Sequence, residues 1–238
     1  TFDRPDVVAH FYLSDDATGA SAGETVVVTG PEARHAITVG RLARGERMRV
    51  GDGKGLIADG VVWVVETDRF ELHVDSTLFD DEPNPQIWLA QALAKGDRDE
   101  RVIQAATELG VDGVIPWAAA RSVVKWEAAK ERKHEERWRS ILREASKQSV
   151  RSRIPALRPL ASTGALAQLG DEFQILVLDP AAKEPLRSFT MGGRDILIVI
   201  GPEGGIAPAE LTRLAESGAT VVSLGSTILR TSTAGPAA

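Results

Sequence analysis

The chain has 238 residues, 43% of them hydrophobic and 26% charged, with a formal net charge of −6. This is ordinary globular composition for one large domain or two modest ones, and no stretch approaches the roughly 18 apolar residues of a membrane span. Cysteine is absent, which removes disulfides, thiolate zinc sites, iron–sulfur clusters and a cysteine nucleophile, and fits a cytoplasmic location. The four histidines, His10, His35, His73 and His134, are far apart in the chain, so no metal site is expected. The start, TFDRPDVVAHF, has no basic head followed by an apolar run and reads as lacking a secretory signal.

Residues 1–80 read as β-rich. ETVVVTG, RMRVGDGKGLIADGVVWVVE and RFELHVD are β-branched runs separated by Gly/Asp turns. One helix interrupts them, PEARHAITVGRLARG, started by Pro31 and stopped by Gly45. Short strands, turns and one helix predict a small barrel. The acidic, proline-bearing DDEPNPQ at 80–86 reads as a linker.

Beyond the linker the pattern changes. IWLAQAL is a strand, DRDERVIQAATELG a helix closed by Gly110, VDGVIPWA a strand and AAKERKHEERWRSILREASKQS a long helix. FQILVLDP and DILIVIG are buried strands, APAELTRLAESG a helix and TVVSLG a last strand. Strands alternating with helices predict an α/β domain with a mainly parallel sheet.

In such a sheet ligands bind beyond the carboxyl ends of the strands. Three strands end suggestively, at Asp179, Gly201 and Gly225. The loop GPEGG is neither of the familiar phosphate loops: it lacks the lysine of G-x-x-x-x-G-K-[ST] and the order of G-x-G-x-x-G, and Glu203 would repel a polyphosphate. The glycines by themselves fit both a ligand loop and a plain strand-to-helix turn. In LGSTILRTSTAG, the apolar pair Ile228–Leu229 beside Arg230 fits a slot for a flat heterocycle with a cation next to it, and equally a loop with a surface arginine.

Charge is unevenly placed. Between Arg121 and Arg158 there are twelve Lys/Arg against five acids, and between Arg34 and Lys54 six against two. Such stripes on an acidic chain suit phosphate contacts. For 130–139 a solvated helix face with internal charge pairs explains the pattern as well.

Taken together, IGPEGG and LG..ILRT.TA, with KGDR..E..IQ..TELGV before them and R.RIP between, resemble the 16S ribosomal RNA uridine-N3 methyltransferases of the SPOUT class. The resemblance covers nearly the whole chain. It implies a PUA-like RNA-binding β-barrel at 1–80 and a SPOUT methyltransferase domain at 81–238, whose sheet carries a deep trefoil knot. It implies S-adenosylmethionine (SAM) as cofactor, held by Leu178, Ile200, Gly201, Glu203, Gly204, Gly205, Leu224, Gly225, Ile228, Leu229, Arg230 and Thr231. It also implies a homodimer acting on 16S rRNA or the assembled small ribosomal subunit, with no metal and no membrane. A sulfonium cation without phosphate agrees with a loop that has a glutamate and no lysine.

Under that resemblance, uridine N3 must lose a proton, and someone must accept it or stabilise the anion. Arg230 is the candidate for charge stabilisation. Glu203 is the candidate proton acceptor, provided burial raises its pKa. The family's L-R-T-E-T-A departs here to Leu229-Arg230-Thr231-Ser232-Thr233-Ala234, and Ser146-Lys147 departs from the usual Ala/Cys-Glu. Candidate RNA contacts are Lys95 and Arg98, Arg151 and Arg153, and Arg41, Arg44, Arg47 and Arg49. Glu100, Gln104 and Glu108 share one helix face. Among the tryptophans, Trp63, Trp88, Trp117 and Trp138 read as core, leaving Trp126, beside Lys125, as the candidate for stacking on a base.

Overall fold

A computed structural model of the chain describes residues 10–238; the reading of the first nine residues lies outside them. The chain forms two compact units. The first comprises the residues up to Glu82 together with Ser146–Ile154; the second comprises Pro83–Ala145 and Pro155–Ala238. The first therefore takes a short segment from within the later part of the sequence.

The first unit contains β1 (His10–Leu13), β2 (Thr25–Thr29), α1 (Gly30–Thr38), β3 (Arg47–Gly51), β4 (Leu56–Val65) and β5 (Arg69–Phe79). The strands form one sheet in the order β1-β3-β4-β5-β2. β1 and β3 are parallel and the other pairings antiparallel. Period-2 alternation puts Val26, Val28, Phe70, Leu72 and Val74 on the buried face with Ala33 and Ala36 of α1. The sheet is a half-barrel: among the described residues no ladder joins the edge strands β1 and β2, and α1 lies against both.

The helix α1 ends at Thr38, well before the expected stop at Gly45. Thr38 turns its hydroxyl back onto the Arg34 carbonyl, 2.6 Å away. At Gly40 a side chain would collide with the Tyr12 hydroxyl, and Arg41 adopts a φ of 54°. Close packing against Tyr12 thus breaks the helix where the sequence pattern continues it.

The second unit carries β6 (Ile87–Ala92), α2 (Arg98–Leu109), β7 (Gly113–Trp117), most of α3 (Glu131–Gln148), β8 (Ala156–Leu157), α4 (Thr163–Ala167), β9 (Phe173–Leu178), β10 (Asp195–Ile200), α5 (Pro208–Glu216), β11 (Thr220–Val222) and α6 (Thr231–Ala237). The six strands form a wholly parallel sheet in the order β11-β9-β10-β6-β7-β8. The central strands β6 and β10 are buried along almost their whole length, as a parallel sheet covered on both faces requires. Gly110 closes α2 in the left-handed conformation, φ 110°, as expected from the sequence.

Residues 231–237 are helical, an element the sequence pattern did not assign. Thr, Ser, Gly and Pro are poor helix formers, so packing accounts for α6. It lies against α2 and β10, and Gly235 sits where a methyl group would come within 3.1 Å of Val102 and 3.4 Å of Leu89. Tertiary contact commonly overrides propensity in so short a helix.

Candidate active site

The carboxyl ends of β9, β10 and β11 and the start of α6 enclose a cleft of about 440 Å³. Its apolar walls include Leu178, Ile200, Ile206, Leu224 and Leu229, and four charged side chains line it, Asp179, Glu203, Arg98 and Arg230. The strand ends at Asp179, Gly201 and Gly225 converge here, as the sequence suggested. All the residues expected to hold the cofactor line the cleft except Gly204. Its carbonyl instead accepts a 3.1 Å hydrogen bond from the Arg121 guanidinium, so this glycine braces the loop from behind.

The loop after β10 is a tight turn. The Gly205 N–H donates to the Pro202 carbonyl across 2.9 Å, with Gly205 at φ 69°. A side chain at Gly201 would come within 2.6 Å of Ile206. The following helix starts at Pro208 with Ala207 as its cap. Alanine offers no acceptor, but Glu210 reaches back to the Ala207 N–H, 3.2 Å. Glu210 also accepts from the Ala120 N–H at 2.9 Å and the Thr163 hydroxyl at 2.6 Å. A buried carboxylate thus seats the α5 terminus and leaves the loop's glycine face to the cleft.

The third loop is tied to the second. The buried Thr231 hydroxyl donates to the Gly201 carbonyl at 2.9 Å. It accepts in turn from Gln91 Nε2 at 3.1 Å, and Gln91 also donates to the Ala92 carbonyl. Gln91 is fully buried near the end of β6, and among the described residues its Oε1 has no hydrogen-bond partner. Sequence reading missed it; its only signal was a polar residue inside an apolar central strand.

Glu203 lies 2.7 Å from the Arg98 guanidinium and 3.4 Å from the Lys95 N–H. Burial pushes its carboxyl up, but its own backbone N–H, Arg98 and Lys95 outweigh this and hold it below the usual glutamate range. The raised pKa expected of a proton-accepting Glu203 is therefore not found. Arg98, expected to meet RNA phosphate, is turned into the cleft and engaged by this carboxylate. Next to it, burial pushes the Asp99 carboxyl up while the Ala94 and Glu100 N–H groups oppose the shift. Arg230 caps α6 with its backbone and is exposed at the cleft; among the described residues no carboxylate pairs with it.

The remaining candidates separate. Arg153 is 21% exposed, donates to the Asp80 carbonyl, pairs with Glu82 and packs on Phe79, so it braces the first unit and does not face outward for RNA. Arg151 belongs to the same segment and is partly buried. Arg47 and Arg49 both engage Asp59, and Arg47 also Asp75. Arg41 and Arg44 remain exposed, as does Lys95. Glu100 is clamped by Arg137 of α3 and Gln104 bonds to Glu108. Along 127–139 the basic stripe trades charge with itself through Lys130–Glu127, Arg132–Glu136 and Arg139–Glu135.

The tryptophan reading holds for Trp88, Trp117 and Trp138, which are buried, and reverses for the other two. Trp126 is buried, stacked on His134 and edge-on to Trp138. Trp63, expected in the core, is 58% exposed. Among the described residues no group of three His, Asp or Glu side chains gathers as a metal site, and no helix is long and apolar enough to cross a membrane.

A parallel α/β unit with a ligand cleft at the strand ends, closed by a final short helix, defines the class, and the RNA methyltransferase domain family matches residues 81–238. Ribosomal RNA small subunit methyltransferase E of Mycobacterium tuberculosis is 39% identical over 234 residues, covering 96% of this chain and 88% of that protein. The Bacillus subtilis protein of the same name is 34% identical, covering 88% and 86%. The Neisseria gonorrhoeae enzyme of that name, solved with bound S-adenosyl methionine, superposes with a TM-score of 0.87 at 29% identity, covering 97% of this chain and 94% of that one. A Legionella pneumophila methyltransferase with bound SAM gives 0.86 at 28% identity, covering 97% and 95%. The chain belongs to the ribosomal RNA small subunit methyltransferase E family.

Proposed function

We propose that the protein transfers the methyl group of SAM to N3 of a uridine in 16S rRNA. The observation that carries this reading is the cleft itself, built from the three strand-end loops and holding Arg230 without a carboxylate partner among the described residues. The cleft fits the cofactor. Its walls are apolar enough for adenine, its charged lining has two carboxylates against two guanidiniums, and no lysine awaits a phosphate. Leu178, Ile200, Leu224 and Leu229 would hold the adenosine part, with the Gly201–Gly205 backbone beside them.

When bound, SAM supplies an electrophilic methyl group on a positively charged sulfur. The chain's own part is placement and electrostatics. Arg230 stabilises the negative charge that spreads over N3, O2 and O4 as the N3–H proton leaves to water at the cleft mouth. The methyl group would pass to the N3 lone pair with the S–C bonding pair staying on sulfur, which would leave a neutral thioether held by the same apolar residues. Glu203, already ionised and paired, keeps Arg98 and the GPEGG loop in place.

We extend the reading to the whole chain. Residues 1–80 act as a PUA-like RNA-binding module, supported by the half-barrel sheet and the exposed Arg41 and Arg44. Residues 81–238 form the catalytic domain with a trefoil knot. In support, the chain leaves the β11 edge of the sheet, returns across the Gly201 loop through Thr231, and packs α6 on α2. The working form is a homodimer, supported by Ile228, an apolar side chain 83% exposed beside the cleft.

The test is to incubate the protein and labelled SAM with naked 16S rRNA and with small subunits from cells lacking the modification, then digest and identify the nucleoside by mass spectrometry. Base-methylated 3-methyluridine is expected. A ribose-methylated nucleoside, or no transfer to either substrate, would sink the reading.

A further inference from the structure

Trp63 departs from every expectation of a tryptophan in an apolar strand. It lies on β4 in the run VVWVV, yet its side chain is 58% exposed. The cause is strand alternation: Val62 packs inward, so Trp63 stands on the outer face with Asp59 and Val61. Pairing between β4 and β5 matches Val62 with Leu72 and Val64 with Glu71, so Trp63 also falls at a register shift, the extra residue of a β-bulge. Val62 stays buried beneath it, and the neighbouring loop is pinned there by backbone hydrogen bonds from Gly45 N–H to Val62 and from Val62 N–H to Glu46.

That loop brings Arg44 over the indole, with its guanidinium carbon 5.5 Å from the ring centroid. His73 of β5 lies on the other strand, its ring centroid 6.4 Å from that of Trp63 and tilted by 52°. The remaining cations of this sheet face are spent on carboxylates: Arg47 and Arg49 on Asp59 and Asp75, Arg69 on Glu66 and Glu71. Among the described residues no carboxylate pairs with Arg44, nor with Arg41 in the same loop. The result is a flat, exposed aromatic with a planar cation against it, a histidine beside it and unneutralised positive charge alongside.

We infer that Trp63, with Arg44 and His73, is a stacking platform for an unpaired base of the RNA substrate. The inference rests on the proposed action on rRNA. Single-stranded RNA is recognised by stacking bases on aromatic rings and guanidinium planes, with positive charge tracking the backbone. The exposed indole supplies the first, and Arg44 and Arg41 supply the second. A protein partner would be better served by an apolar surround, whereas the neighbours here are arginine and histidine.

The test measures binding separately from turnover. Affinity for a short oligouridylate and for 16S rRNA is compared among wild type, Trp63→Ala, Trp63→Phe and Arg44→Ala. SAM affinity and circular dichroism serve as controls on folding. Trp63→Ala is expected to weaken both RNAs by roughly 5- to 100-fold, the range of one lost base stack, with no change in the slope of affinity against salt. Trp63→Phe should recover most of the loss. Arg44→Ala should reduce the salt slope by about 0.7, one single-strand phosphate contact. Unchanged RNA affinity in Trp63→Ala would overturn the inference, as would a loss of self-association by sedimentation in its place, which would make this face a protein contact. A wild-type protein that binds RNA through Trp63 but transfers no methyl group would defeat the proposed reaction and leave the platform standing.

Discussion

The Thr231 hydroxyl donates to the Gly201 carbonyl across 2.9 Å, joining two loops of the cleft that are 30 residues apart in the chain. Gln91 on a third element holds the same hydroxyl from below. One buried side chain thus sets the distance between the GPEGG turn and the start of α6. Thr231→Val keeps the volume and removes the hydrogen bonds, leaving the partly buried Gly201 carbonyl and the buried Gln91 amide each short of a partner. Each loss of this kind amounts to about 1–3 kcal/mol. SAM affinity measured by calorimetry should fall about tenfold or more, and Thr231→Ser should keep most of it. Equal affinity for Thr231→Val and wild type would show that the loops are held by something else.

Under the proposed reaction, Arg230 acts on the negative charge that develops at the uracil ring. Arg230→Ala should leave SAM affinity within a few-fold of wild type and lower turnover on 16S rRNA by about 100-fold, comparable with losing one preorganised charge-stabilising group. Single-turnover rates at saturating RNA and SAM measure this directly. Near-wild-type turnover would remove Arg230 from the mechanism.

Glu203 carries a pH prediction of definite sign. Its folded-state pKa is depressed, so the order it lends to the loop is fully present above the ordinary glutamate range and is lost only as pH falls through the depressed value. Profiles of SAM affinity against pH should therefore be flat near neutrality and fall only in acid. Arg98→Ala removes the guanidinium 2.7 Å away and should move that acid limb to higher pH. An inflection near neutrality that disappears in Glu203→Gln would restore this carboxylate as a proton acceptor.

Lys147 occupies a position where the family resemblance led us to expect a glutamate. Its ammonium lies 3.1 Å from the Glu32 carboxylate, with the two side chains 8% and 17% exposed, and 5.9 Å from the Tyr12 ring. Removing one partner of a buried pair takes away part of what offsets the other's desolvation. Lys147→Ala should cost about 3 kcal/mol in urea denaturation, far more than Lys130→Ala on the surface, and Lys147→Glu should cost more again. Combining Lys147→Glu with Glu32→Lys should recover part of the loss. Additive losses in that double variant would mean the pair does not interact.

Residue pattern was enough for the parallel sheet, the stop of α2 at Gly110 and the three strand-end loops, because each depends on periodicity or on a glycine within a few residues. GPEGG and ILRT were joined by the family resemblance, and they follow β10 and β11, the two strands that flank β9. Other features depended on residues far apart. Arg98 and Glu203 are 105 positions apart, and no local pattern shows that one neutralises the other. Arg47 and Arg49 look like free cations until β3 pairs with β4 and brings Asp59 between them.

Trp63 and Trp126 show the same division within one residue type. Both stand beside apolar residues, and hydrophobic pattern assigns the strand residue to the core and the one beside Lys125 to the surface. Packing the Val62 face of β4 inward left Trp63 on the outer face, and His134 and Trp138 of α3 closed over Trp126. The sequence by itself determined the central strands and the α2 and α5 helices, the class of sheet and the loops that meet at its carboxyl edge. Only the tertiary structure decided which charges remain unpaired and which aromatic faces solvent, because pairing and exposure depend on strand register and on contacts between residues distant in the chain.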